Sequence, residues 1–86
     1  MGVRILERLR SNDPTLHELD LGSKRLGDRD AVALGEALKT NTALQTLDLQ
    51  SNSVGAAGAS ALGEALKTNA ALQTLNLRGN LSLIHI

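Results

Sequence analysis

The 86-residue sequence contains no cysteine, phenylalanine, tyrosine or tryptophan, and only one proline, Pro14. Without cysteine there are no disulfides, no thiolate nucleophile and no thiolate metal ligands. Without aromatics, any core must be assembled from Leu, Ala, Val and Ile. Charge of one sign is also missing: nine basic and nine acidic residues give a formal net charge of zero. That balance argues against nucleic acid or an anionic membrane surface as the main partner. No apolar run approaches the roughly 18 residues of a membrane-crossing helix. Residues 1–10 carry three arginines and Glu7 where a secretory signal needs an unbroken apolar stretch. The Met-Gly start lacks a myristoylation motif, because Leu6 stands where Ser or Thr is required. These absences together lead to the expectation of a cytoplasmic protein.

What the chain does have is repetition. ALQTLDLQSN at residues 43–52 returns as ALQTLNLRGN at 71–80, and a looser copy, TLHELDLGSK, occupies 15–24. Leu16, Leu44 and Leu72 are 28 residues apart, as are Leu19, Leu47 and Leu75, and Leu21, Leu49 and Leu77. A fixed interval of this size is the signature of stacked units that share a continuous core. Stacking is also how so short and aromatic-free a chain can bury its leucines at all, since each unit leans on its neighbours.

Each copy begins with an alternating stretch, residues 16–21, 44–49 and 72–77, whose period of two places the leucines on one face of a strand and polar residues on the other. The helical segments follow. Residues 28–40 place Ala31, Leu34, Gly35 and Leu38 at helical spacing on one face. Residues 55–69 repeat the pattern, and ALGEALKTN occurs identically at 33–41 and 61–69. Asp28 is expected at the helix N-terminus, and Asn41 is expected to end the first helix in a left-handed conformation. Gly35 and Gly63, with Ala31 and Ala59, are expected to let helices approach closely. Residues 2–12 align with 31–41 at an offset of 29, so the chain opens within a helix remnant that Pro14 terminates. The units are therefore 1–12 (helix remnant of a truncated repeat), 16–41, 44–69 and 72–80 (the start of a third strand-loop unit). With barely two complete units, the isolated chain is expected to be marginal in solution.

The pattern LxxLxLxxN resembles the leucine-rich repeat. Its 28-residue period and AxALGEALKTN helix are similar to the ribonuclease-inhibitor-like subfamily found in cytosolic nucleotide-binding receptors. The resemblance covers roughly residues 2–80 and implies an α/β solenoid, a horseshoe fragment with parallel strands on the concave face and helices on the convex face. It also implies that Asn52 and Asn80 bond loop backbone in a ladder between units. Lys24 departs from that pattern at the equivalent place, and because lysine offers no acceptor, no rung is expected there. The remaining residues, LSLIHI at 81–86, translate CTG TCT CTT ATA CAC ATC in frame, which resembles a transposase adapter used in sequencing libraries. They are read as a scar and set apart from the fold.

Functionally the resemblance implies recognition of a partner protein through the concave strand face, as a fragment of a larger repeat protein. A part of a GTPase-activating protein of the Ran-regulator type is the alternative. In-register stacking forms rows on the open face: Glu18, Thr46 and Thr74; Asp20, Asp48 and Asn76; then Gly22, Gln50 and Arg78, with His17, Gln45 and Gln73 flanking. The candidate partner-binding residues are Glu18, Asp20, Thr46, Asp48, Gln50, Thr74, Asn76 and Arg78. Carboxylates this close repel one another until something positive approaches, which points to a basic segment on the partner. An open sheet lacks the concavity of a small-molecule site. His17 and Glu18, being neighbours on a strand, point to opposite faces and cannot act as an acid-base pair on one substrate. There is no phosphate-cradling GxxxxGK loop and no metal-spaced His/Cys cluster. No enzyme activity, cofactor, metal or small-molecule substrate is therefore expected.

Overall fold

A computed structural model describes residues 2–81. Three helices alternate with three short strands: α1 (Val3–Arg10), β1 (Glu18–Asp20), α2 (Asp28–Leu38), β2 (Thr46–Asp48), α3 (Ala56–Thr68) and β3 (Thr74–Asn76). The strands form one parallel sheet in the order β1-β2-β3. Leu19 pairs with Leu47 and Leu47 with Leu75, so the 28-residue interval of the sequence is the register of the sheet. The strands are only three residues long, yet inter-unit bonding continues beyond them. Leu21 N–H donates to Asp48 O at 2.8 Å and Ser23 N–H to Gln50 O at 3.0 Å, and Leu49 and Ser51 repeat these bonds to Asn76 and Arg78.

The leucines turn inward as their periodicity requires. Leu44, Leu47, Leu49, Leu34, Leu38 and Leu62 are fully buried in one cluster with Val54 and Leu9. Leu72, Leu75 and Leu77, their counterparts in and around β3, are only partly buried. The cause is position: among the described residues no further unit follows to cover them.

Asparagine side chains tie the turns together. Asn52 Nδ2 donates to Leu21 O, Leu49 O and Gln50 O, and its Oδ1 accepts from the backbone of Lys24 and Leu26. Asn80 spans the next junction the same way, donating to Leu49 O and accepting from Val54 N–H. Among the described residues Lys24 contributes to this ladder only a backbone N–H.

Asn41 departs from its expected role. It is not in the left-handed region; α2 ends at Leu38 with Lys39 still in the right-handed helical region. Instead the Asn41 side chain is buried, donating to Leu9 O of the preceding helix and accepting from Ala43 and Leu44 N–H. Asn69 makes the corresponding bonds one unit later, donating to Leu38 O and accepting from Ala71 and Leu72 N–H, and it donates also to Asn41 O. Burial makes satisfying the polar side chain and the loop amides weigh more than the local preference for a left-handed cap. That conformation occurs at Asn12, with φ 57°, where Asn12 N–H bonds Leu9 O and Asp13 N–H bonds Arg8 O in the pattern of a Schellman cap.

Asp28 lies in the first turn of α2, but its carboxylate reaches the next helix, where Oδ1 accepts from Gly55 and Gly58 N–H. The start of α3 is thus partly defined by a neighbour, whereas at the start of α2 Gly27 N–H donates to Asp30 Oδ2 of the same helix.

The two glycines paired by sequence separate in structure. A Cβ on Gly35 would stand 2.9 Å from Ala61 O of α3, whereas one on Gly63 would meet nothing within 4 Å. Close packing of helices therefore holds at Gly35 and fails at Gly63 among the described residues. The pair makes an internal control. Gly63→Ala is expected to stabilise the chain by up to about 1 kcal/mol through helix propensity. Gly35→Ala is expected to destabilise it by about 1–2 kcal/mol because overpacking outweighs that gain. Urea melts of dilute protein measure both.

Between α1 and β1, hydrogen bonds from the Thr15 hydroxyl and backbone, with one from Arg8, hold the Asp13 carboxyl down at about 2 from an ordinary 3.8. Because the folded value is the lower one, this turn contributes its full stability above about pH 4 and loses it as pH falls through about 2. A 13C titration of the Asp13 carboxyl is expected to show a midpoint near 2; a midpoint at 3.8 would mean the turn is not formed in solution.

Candidate protein-binding face

On the sheet face opposite the leucines, the pairing sets Glu18 beside Thr46 and Thr46 beside Thr74, and likewise Asp20 beside Asp48 and Asp48 beside Asn76. Neighbouring strands stand about 4.8 Å apart, so these are continuous rows. Glu18, Asp20, Gln50, Thr74 and Arg78 are exposed, while Thr46, Asp48 and Asn76 are half-buried. A third row begins at Gly22, where an added Cβ would stand 3.3 Å from Gln50 Cγ. Gln50 in turn accepts a long bond, 3.5 Å, from Asn76 Nδ2. All eight candidate residues therefore belong to one face. His17, Gln45 and Gln73 are also exposed.

The middle row has a structural duty that the sequence reading missed. Asp20 Oδ1 accepts from Gly22 N–H at 2.9 Å, Asp48 Oδ1 from Gln50 N–H at 2.9 Å and Asn76 Oδ1 from Arg78 N–H at 3.1 Å. Each is an Asx turn that ends its strand, and this explains why Asp and Asn interchange at the position. One oxygen of each aspartate is left over for a partner. Among the described residues the ion pairs are Arg8–Asp13, Lys39–Glu36 and Lys67–Glu64. None of them neutralises Glu18, Asp20 or Asp48. The same residues include no group of His, Asp and Glu that could hold a metal ion, and no helix long and apolar enough to cross a membrane.

The family profile described as "Leucine Rich repeat" matches residues 12–35 and 40–63, more than half of the chain and in phase with its strands. The chain belongs to the leucine-rich repeat family. Solved structures agree on the fold of this leucine-rich repeat array. A tropomodulin C-terminal domain from Caenorhabditis elegans superposes with a TM-score of 0.82 at 25% identity, covering 92% of this chain and 48% of that one. A leiomodin-1 segment described as actin-binding site 2 gives 0.71 at 22% identity, covering 93% and 64%. The array thus spans about half of the first and under two thirds of the second, and the likeness to leiomodin is one of fold alone. No curated protein sequence matches significantly. Leucine-rich repeats typically serve protein-protein interaction, the class expected of this chain.

Proposed function

We propose that this leucine-rich repeat array recognises a partner protein through its concave strand face, taking a basic segment against Glu18, Asp20 and Asp48. The observation that carries the reading is the in-register placement of three carboxylates that have no cationic partner among the described residues, on the strand face that helices leave uncovered. Thr46, Thr74, Gln50 and Asn76 offer hydrogen-bonding groups beside them, and Arg78 gives the face one positive end. The role is binding rather than catalysis, in the cytoplasm, with no cofactor, nucleic acid, membrane or small-molecule substrate. A GTPase-activating role has no residue here to carry it, and the leiomodin likeness assigns no partner.

The 28-residue interval and the ALGEALKTN helices support placing the array in the ribonuclease-inhibitor-like subfamily, with units at 1–12, 16–41, 44–69 and 72–80. The adapter reading of 81–86 rests on the match of those six residues to the adapter's translation; residues 82–86 lie outside the described residues.

The hydrogen bonds supply a clean test. Asn76 shows that an amide oxygen sustains the Asx turn, so Glu18→Gln, Asp20→Asn and Asp48→Asn together remove charge while keeping the fold. Calorimetric titration with a lysine- and arginine-rich peptide is expected to show at least a tenfold loss, about 1.4 kcal/mol, in the triple variant. Binding to the unmodified chain should weaken as salt is added. Equal binding by both chains would overturn the acidic-face reading.

A further inference from the structure

We infer that Lys24, Arg25 and Arg29 form a second interaction surface, on the loop and helix face that follow β1, and that it takes a short acidic segment of a protein partner. This surface stands apart from the concave face and does not rest on the reading given to that face.

The repeats carry the inference, because equivalent positions 28 residues apart separate what the fold requires from what it merely bears. Lys24, Arg25 and Arg29 correspond to Asn52, Ser53 and Ala57. The second unit builds the same loop and helix start with no charged residue between Gln50 and Gly58. The three cationic charges of the first unit therefore have no duty in the fold. They have no ion-pair partner either: among the described residues the pairs are Arg8–Asp13, Lys39–Glu36 and Lys67–Glu64. Asp28 and Asp30 are half-buried and turned onto backbone, Asp28 Oδ1 accepting from Gly55 and Gly58 N–H and Asp30 Oδ2 from Gly27 N–H.

All three cationic residues are exposed. At Arg25 that exposure belongs to the repeat position itself. Ser53 has a loop on each side, since its N–H bonds Leu26 O and Val54 N–H bonds Asn80 Oδ1, and it is exposed too. Arg29 lies with Val32 and Glu36 on the exposed face of α2, whereas Asp28, Ala31 and Gly35 form the side that α3 covers. The loop is also preorganised. Asn52 Oδ1 accepts from Lys24 and Leu26 N–H at 3.0 Å each, and this clamp holds Arg25 between them in the left-handed region at φ 59°. That conformation is uncommon outside glycine, and Ser53 does not adopt it. A partner therefore meets a backbone that is already ordered.

The extent of the positive charge selects the partner. A nucleic-acid duplex or an anionic bilayer presents a continuous run of negative charge, and laid across this patch it also meets Asp20, Asp28 and Asp30. A short acidic peptide matches the three cations and ends there.

Titration of 15N-labelled protein with a short peptide of Glu and Asp is expected to shift the amides of residues 23–29 and leave their counterparts at 51–57 in place. Lys24→Asn, Arg25→Ser and Arg29→Ala together give the first loop the side chains with which the second already folds. This neutral-loop variant should bind the peptide about fivefold more weakly or worse. Ser53→Arg with Ala57→Arg, at two exposed positions, should instead spread the shifts to 51–57 and tighten binding, and this pair decides if the neutral-loop variant does not fold. The variant carrying Glu18→Gln, Asp20→Asn and Asp48→Asn should bind the acidic peptide at least as well as the unmodified chain, so the two surfaces stand or fall separately. Absence of shifts at 23–29, or equal binding by the neutral-loop variant, would overturn the proposal. So would a larger loss toward duplex DNA or phosphatidylserine vesicles than toward the peptide, because the cations would then serve a polyanion.

Discussion

Asn52→Leu is expected to destabilise the chain by about 3 kcal/mol or more, a large share of what so small a domain has to lose. Leucine keeps the branched skeleton of asparagine but offers no donor or acceptor. The side chain is 6% exposed and satisfies five backbone groups, Leu21 O, Leu49 O and Gln50 O as donor and Lys24 and Leu26 N–H as acceptor. A buried backbone group left without a partner costs about 1–3 kcal/mol. The turns have no water-filled alternative for Leu26, itself buried. A small domain of marginal stability has roughly 0.05–0.15 kcal/mol per residue to lose. Asn80→Leu, at the half-buried equivalent, removes a rung that solvent can partly replace, and its cost should be clearly smaller. Paired urea melts measure the difference. Equal small losses at both positions would show that the ladder is decoration.

The second large effect concerns the leucine seam. Leu47→Ala should cost about 3–4 kcal/mol, within the range for a fully buried leucine truncated in a core that relaxes only partly. Leu47 is 0% exposed and lies between Leu19 and Leu75 in the sheet. Leu75→Ala, the same substitution one unit on, should cost about half as much or less, because Leu75 is only partly buried and the site opens to water. A reversal of that order would mean that β3 and not β2 is the covered strand.

Much of this was legible in the residues. Leucines returning at one interval are enough to fix three parallel strands in register, because only that arrangement puts identical residues side by side. The asparagine of LxxLxLxxN stood out for the same reason. Asn41 did not. Its sequence neighbourhood reads as a helix stop, and nothing local shows that its amide is buried against Leu9 of another unit. Asp28 was hidden in the same way, since its acceptor works on Gly55 and Gly58, 27 and 30 residues away. Gly35 and Gly63 are identical in sequence context, and only the position of each helix in the stack distinguishes them. The Asx turns at Asp20, Asp48 and Asn76 left a usable signal: an aspartate-to-asparagine exchange at one repeat position keeps a short acceptor and discards the charge. That exchange also limits what the charge alone can be assigned to on the concave face, where the free carboxylate oxygens and Glu18 remain for a partner.

The stacking of successive turns on a shared seam is most directly tested by methyl NOE spectroscopy on leucine-labelled protein. Adjacent strands about 4.8 Å apart predict cross-peaks from Leu19 to Leu47 and from Leu47 to Leu75, with none from Leu19 to Leu75 in dilute monomer. Missing Leu19–Leu47 and Leu47–Leu75 peaks in a folded sample would contradict the fold on which the binding face depends.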